Sequence, residues 1–483
     1  MEKTRSLYSC WIALAFAFGA GEPSHGAQEA IVTSIRDLVT RVNSSKPGDV
    51  ITIKSGRYRD SNSHELHGMG QKGKPITVRG KGKVEFETDS PLRLRGRYTR
   101  FEGITFSGLR RRAILEINGE NIRVTRCSFI ESDPPADKRS YTYWVVIKGR
   151  KNRVDHCLFE GKNNGGAMIV FFGFSKDNPG DHLIDYNHFN DRKEGPHNGY
   201  ETIKVGNSGM SHLEGRVTIE NNLFEDCDGE IEIISLKTSR VVVRHNTILN
   251  CRGTITMRQC MGTEITDNYF LSDHKKDTGG IRIIGPHQTV RRNYFSGLSR
   301  HEVVTLRIGN FRFELGKLYE YEGKYSAFPR TPRGGVLNYG QVTEATIEDN
   351  FFESRPEQRC IAHNSGYKKG ASNAFLNEST SLRRNIFYCP DKRSSSPFIQ
   401  KAPGGVLREA NHPKHTGDIV YTTATFPVPE GVERLPPRVA VKFILQTKNR
   451  EYKIYRSVDL PDAGPQSPPL RAADVGPDGP ESR

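Results

Sequence analysis

The sequence predicts an all-β chain wound as a right-handed parallel β-helix, with a short capping helix near its N-terminal end. Three observations carry that reading. First, a polar-x-aromatic signature recurs as Cys127-Ser-Phe129, Cys157-Leu-Phe159, Asn187-His-Phe189, Asn222-Leu-Phe224, Asn246-Thr-Ile248, Asn268-Tyr-Phe270, Asn293-Tyr-Phe295, Asn350-Phe-Phe352 and Asn385-Ile-Phe387. Second, the leading residues stand 30, 30, 35, 24, 22, 25, 57 and 35 apart, a base period of 22–25 carrying insertions, with the 57 read as hiding an extra coil. A fixed period of that size marks a solenoid. Third, each unit is strand-rich with Asn and Gly at its corners, so stacked Asn side chains would satisfy the corner backbone while Phe and Ile columns fill the interior. A propeller would need longer and more even blades of about 40 residues.

In chain order, residues 1–27 read as a secretory signal. Lys3 and Arg5 precede an apolar run from Trp11 to Ala20, and small residues follow to Gly26-Ala27. No later segment is long and apolar enough to span a bilayer, so a soluble periplasmic or secreted protein is expected. The β-helix domain is assigned to 28–440. It opens with Ile35, Leu38, Val39 and Val42 at helical spacing behind a Ser34/Asp37 capping box, followed by the strand Asp49-Val-Ile-Thr-Ile-Lys54. Insertions at 131–143 and 309–334 are read as walls of a groove. Beyond Lys401 the repeat fades, and 441–483 reads as a C-terminal extension, partly disordered or draped along the surface. Of eight cysteines, Cys10 lies in the signal segment, and the other seven lack C-x-x-C spacing. Buried free thiols are favoured over disulfides, with Cys127 over Cys157 and Cys227 over Cys251 in adjacent coils.

Lys and Arg total 71 against 56 Asp and Glu, a formal charge of +15, which favours a polyanionic partner. The signal segment disfavours nucleic acid. The candidate site centres on Gly229-Glu-Ile-Glu-Ile-Ile-Ser-Leu-Lys237. Strand alternation sends Glu230 and Glu232 to one face and Ile231 and Ile233 into the core. Paired carboxylates repel unless a cation sits between them, and with a nearby amide oxygen they suit Ca²⁺, although a solvated acidic face fits this stretch alone equally well. Aligning coils puts Gly229 over Gly253, Glu230 against Thr254, Glu232 against Thr256 and Ile234 against Arg258. Lys204, Arg258, Arg282 and Arg307 then form one outward column at coil spacing, which would repel itself unless an anionic chain lay along it. In an unbroken strand Lys237 would point inward at a high desolvation cost, so a turn after Ser235 is expected to carry it to the groove edge, where cationic neighbours make it a plausible base.

The blocks Asn198-Gly-Tyr-Glu-Thr-Ile-Lys-Val-Gly206, Gly229–Lys237, Gly253-Thr-Ile-Thr-Met-Arg258 and Gly279-Gly-Ile-Arg-Ile-Ile-Gly285 resemble polysaccharide lyase family 6, which contains alginate lyases and chondroitinase B. The resemblance covers most of 30–400. It implies a Ca²⁺ site at Asn198, Glu230 and Glu232, Lys237 as base, Arg258 as acid, and β-elimination on an acidic, uronate-containing polysaccharide, alginate being favoured over dermatan sulfate. Lys204, Arg282 and Arg307 are expected to hold substrate carboxylates, with His287 as a further groove residue. Where the family shows His-Gly after the catalytic Arg, this chain has Gln259-Cys260. Two other classes remain open: a β-helix glycosidase, which would need clustered acids without an obligatory lysine, and a non-catalytic polyanion binder, which would need the arginines without the acidic pair.

Overall fold

A computed structural model describes residues 27–88, 90–107, 113–130, 141–332, 336–366, 375–390, 398–400, 409–447 and 450–479. The signal segment, apart from Ala27, and residues 131–140 of the insertion at 131–143 lie outside the described residues. Each coil visits three long parallel sheets in turn, of 14, 14 and 12 strands. One coil, for example, runs through Val242–Arg244, Thr247–Leu249 and Gly253–Met257. The expected helix is Ile35–Ser44. Ser34 Oγ accepts from the Asp37 N–H at 3.1 Å, and Ile35, Leu38 and Val42 are buried against the first coils.

Two columns of identical residues explain why the chain keeps its register. Between the first and second sheets, Asn187, Asn222, Asn246, Asn268, Asn293, Asn350 and Asn385 form a ladder. From each of them both the backbone N–H and Nδ2 donate to the Oδ1 of the next, and Asp418 takes the final place. The residue before each ladder Asn, such as His245, Asp267 and Arg292, has φ of 54°, 57° and 50°. A left-handed residue turns the corner at a cost of about 1–2 kcal/mol, which the ladder offsets. Inside, Phe106, Phe129, Phe159, Phe189 and Phe224 stack at centroid spacings of 4.8–4.9 Å, matching the rise between strands.

The interval of 57 holds no extra coil. Thr289–Arg291 pairs directly with Thr346–Glu348, and the extra length of this coil is a loop leaving after Arg307. That loop packs Phe311, Phe313, Ala327 and Phe328 into a small core of its own, and its Gly316 N–H donates to His212 O at 2.8 Å. All seven cysteines from Cys127 onward are buried, and Cys127, Cys157, Cys227, Cys251 and Cys260 are free thiols.

Most of the region assigned as an extension is laid on the second sheet. Val439–Gln446 and Glu451–Ser457 form an antiparallel hairpin, and Leu445, Tyr452, Ile454, Ala463 and Val475 pack on outward Tyr269, Tyr294, Phe351 and Ile386. Further along, Tyr269 Oη donates to Ser467 O at 2.6 Å and Arg126 donates to the carbonyls of Pro477 and Gly479 at 2.5 and 3.2 Å. Among the described residues no helix is long and apolar enough to cross a membrane.

Candidate active site

The site lies on the third sheet, and a β-bulge determines which side chains face it. The strand Glu232–Leu236 pairs with Ile203–Val205 on one side and Gly253–Met257 on the other, where the register shifts between Glu232 and Ile234. Ile233 and Ile234 are consequently both buried in the core. The extra residue reverses the inside–outside phase, so Ser235 and Lys237 face outward without a turn. The strand runs straight on to Leu236, and the Lys237 N–H donates to Val205 O at 2.9 Å. This corrects the expected turn after Ser235. It also corrects the expected inward Ile231, which lies before the strand and is 38% exposed.

The bulge displaces the coil alignment as well. Glu232 stands against Thr254 and Ser235 against Thr256, not Glu230 against Thr254 or Ile234 against Arg258. The cations fall into two rows instead of one column. Lys204, Ser235, Thr256, Arg282 and Thr305 are successive partners. Continuing the Leu236, Met257, Ile283 and Leu306 register by one residue puts Lys237, Arg258, Ile284 and Arg307 in the second row.

Three carboxylates converge in front of these rows. Oxygens of Glu201, Glu230 and Glu232 lie within 4.8 Å of one another, and the residues are 2%, 7% and 2% exposed. Glu232 accepts from Arg258 Nη1 at 2.9 Å and Ser235 Oγ at 2.5 Å, with Arg282 Nη1 at 3.5 Å. Burial pushes its carboxyl up, but Arg258, Ser235, Lys237 and Arg282 together hold it below the usual range. At Glu230 burial first, then Glu201 and Glu232, push the carboxyl up to about 8, against the weaker pull of the Gly199 N–H and Lys237. Glu201 Oε1 lies 3.4 Å from Lys204 Nζ and 3.7 Å from Lys237 Nζ, while its buried Oε2 has no hydrogen-bond partner. A buried orphan oxygen, a carboxyl disfavoured as an anion and a third carboxylate make a donor set that fits a hard divalent cation.

Glu201 was not anticipated. Counted with Ile203 and Val205, alternation would turn it inward, but the strand begins only at Ile203 and leaves Glu201 free to face the cluster. Its signal was its place in the Glu-Thr-Ile-Lys block. Asn198 is exposed at the rim; its carbonyl accepts from Tyr141 Oη at 2.9 Å, and the following Gly199 N–H bonds Glu230.

Lys237 is 9% exposed. Burial is the largest influence lowering its proton affinity, and Lys204 and Arg258 add to it against the pull of Glu201 and Glu232. Arg258 donates its N–H to Leu236 O at 2.8 Å, which sets it beside Lys237 in the next coil, and its Nε is buried without a partner. Cys260 lies in the core, but Gln259 reaches out of the coil, its Nε2 donating to Asn338 O at 2.6 Å on the long loop. His287 sits at a corner, Nδ1 2.8 Å from Glu344, in a cavity with Met261, Phe313 and Gln341, and is not brought to the carboxylates.

A parallel β-helix whose open sheet carries a buried carboxylate cluster flanked by a Lys–Arg pair and further cations has the fold and site of a polysaccharide lyase. The family model described as Chondroitinase B matches residues 32–402, and the chain belongs to that family, polysaccharide lyase family 6. Among solved structures, a mutant of the family 6 alginate lyase AlyGC aligns at 24% identity and TM-score 0.78, over 94% of this chain and 59% of that one. The chain thus spans about three-fifths of that relative's length. A mannuronic acid specific family 6 lyase from human gut microbiota aligns at 24% identity and TM-score 0.72, over 85% and 91% of the two chains. Pedsa3628 of Pseudopedobacter saltans aligns at 23% and 0.72, over 93% and 99%. No curated protein sequence matches the chain.

Proposed function

We propose that this protein is a periplasmic or secreted lyase that cleaves alginate by β-elimination with the help of Ca²⁺. The observation that carries the reading is Lys237, a buried amine with lowered proton affinity, set beside Arg258 and facing a carboxylate cluster. A glycosidase has no use for such an amine, and a passive polyanion binder has no use for the buried acids.

In this reading Glu201, Glu230 and Glu232, with Asn198, would hold the ion, which when bound supplies positive charge to neutralise the substrate's C6 carboxylate. Lys237, unprotonated, takes the C5 proton. As the C4–O4 bond breaks, Arg258 stabilises the developing negative charge, and the family resemblance adds to it delivery of a proton to O4, directly or through water. Arg282 and Lys204 in one row and Arg307 in the other are placed to hold neighbouring uronate carboxylates. The description of the family model favours a second reading, cleavage of dermatan sulfate.

The test is ultraviolet absorbance of the unsaturated uronate product on mannuronate-rich and guluronate-rich alginate, dermatan sulfate and pectate. Alginate is expected to give the fastest rate. Product from dermatan sulfate alone would replace the substrate assignment, and no product from any of them would overturn the lyase reading.

A further inference from the structure

Glu201 and Glu230 come from successive coils, and neither stands on a regular strand. Glu201 lies two residues before Ile203–Val205 and Glu230 two residues before Glu232–Leu236, so strand pairing stops short of both. What joins their backbones is Arg192, in the loop that follows the strand His188–Asn190. Its side chain is fully buried, and the guanidinium spreads its donors over four carbonyls. Nε donates to Tyr200 O at 3.2 Å, Nη1 to Lys162 O at 3.0 Å, and Nη2 to Asn164 O at 2.7 Å and Gly166 O at 3.1 Å. The guanidinium also lies 4.9 Å from the centre of the Tyr200 ring.

The main chain of the same residue is tied to the other coil. Arg192 O accepts from the Asp228 N–H at 2.8 Å, and the Gly195 N–H donates to Gly229 O at 2.8 Å, immediately before Glu230. The side chain thus holds the residue before Glu201, and the backbone holds the residues before Glu230. A second path runs through Gly166, whose N–H donates to Gly199 O at 2.7 Å, while the Gly199 N–H bonds Glu230. The fit is close: a Cβ on Gly229 would collide with Tyr200 O and come within 3.0 Å of Arg192 Cγ. A buried cation is a poor device for stability, because apolar residues of similar volume often serve as well or better. A rigid planar fork that reaches several segments fixes geometry instead. We propose that Arg192 is the positioning residue of the cation site: it sets the separation of the Glu201 and Glu230 carboxylates and, through it, the affinity for Ca²⁺. The inference rests on the reading above that Glu201, Glu230 and Glu232 hold that ion. Arg192 acts through the backbone, without contact to ion or substrate.

Arg192→Lys keeps the charge and loses the fork, and Arg192→Met keeps most of the volume and loses the charge. In titration calorimetry with Ca²⁺, each is expected to raise Kd on the order of 10-fold or more. Asn268→Ala is the comparison, because it lowers stability from the ladder between the first and second sheets, while the cluster stands on the third. At a temperature where all variants are folded, its Kd should stay within about twofold of the unmodified chain. An unchanged Kd in either Arg192 variant, or a rise of the same size in Asn268→Ala, would overturn the assignment. So would failure of both Arg192 variants to fold, which would make the residue a support of the fold alone. An unmodified chain that binds no Ca²⁺ would overturn the reading of the cluster itself, a result distinct from these.

Discussion

A lysine can serve as a base only if part of it is uncharged at working pH, and burial of Lys237 among other cations moves it in that direction. Turnover should therefore rise with pH as Lys237 loses its proton, with a midpoint below that of an ordinary ammonium; the kcat–pH profile measures this. Lys237 and Arg258 act in one chemical step, so Lys237→Ala and Arg258→Ala should each lower kcat on the order of 10³-fold, and the double variant should be little worse than either single one. Additive losses in that cycle would show that the two act separately. Glu201 completes the carboxylate cluster with Glu230 and Glu232. With a carboxylate oxygen in the cluster and its buried Oε2 unpartnered, Glu201→Gln should weaken Ca²⁺ binding by at least about tenfold in calorimetry, leaving the circular dichroism spectrum unchanged.

At the scale of an element, the Asn ladder and the bulged strand do different work. In the ladder, Asn268 Nδ2 donates to Val243 O, Thr266 O and Asn293 Oδ1, and its Oδ1 accepts from Asn246. Asn268→Ala strands several buried groups at once and should cost about 3 kcal/mol or more, read as a lower thermal or urea midpoint. The bulge contributes phase. Without the extra residue at Ile233 and Ile234, Lys237 would share the core with Leu236's neighbours, and no amount of local charge could make it a base.

For the whole molecule, the extension acts as a cover. The middle residue of the repeat signature is Ser128, Leu158 and His188 in early coils but Tyr269, Tyr294, Phe351 and Ile386 in later ones, and the hairpin and tail bury that later stripe. Truncation after residue 438 should expose it and lower the midpoint of thermal unfolding, with aggregation on heating. Because the cover lies on the second sheet and the site on the third, kcat per folded molecule should stay within about twofold of the full chain. A large loss of kcat in the soluble fraction would show that the cover also shapes the groove.

The sequence by itself determined the solenoid, the ladder, the stacked Phe column and the identity of Glu230, Glu232, Lys237 and Arg258 as a group, because each of these repeats or clusters within one or two coils and needs only local spacing to be read. Tertiary structure alone decided the rest. Face assignments from alternation hold only while a strand is regular; one bulged residue inverted the parity of Lys237, and the registers of this and the following strand pair, shifted at Glu232/Ile234 and again at Gly253/Ile255, split one inferred cationic column into two rows. The start of the Ile203–Val205 strand freed Glu201 from the same rule. Gln259 and Asn338 meet across 79 residues of chain, and no local pattern announces that a loop leaving after Arg307 returns to bond the residue that follows Arg258. Such a contact is fixed by packing and backbone hydrogen bonds of the folded loop, which come into being only once the coils beneath it have stacked.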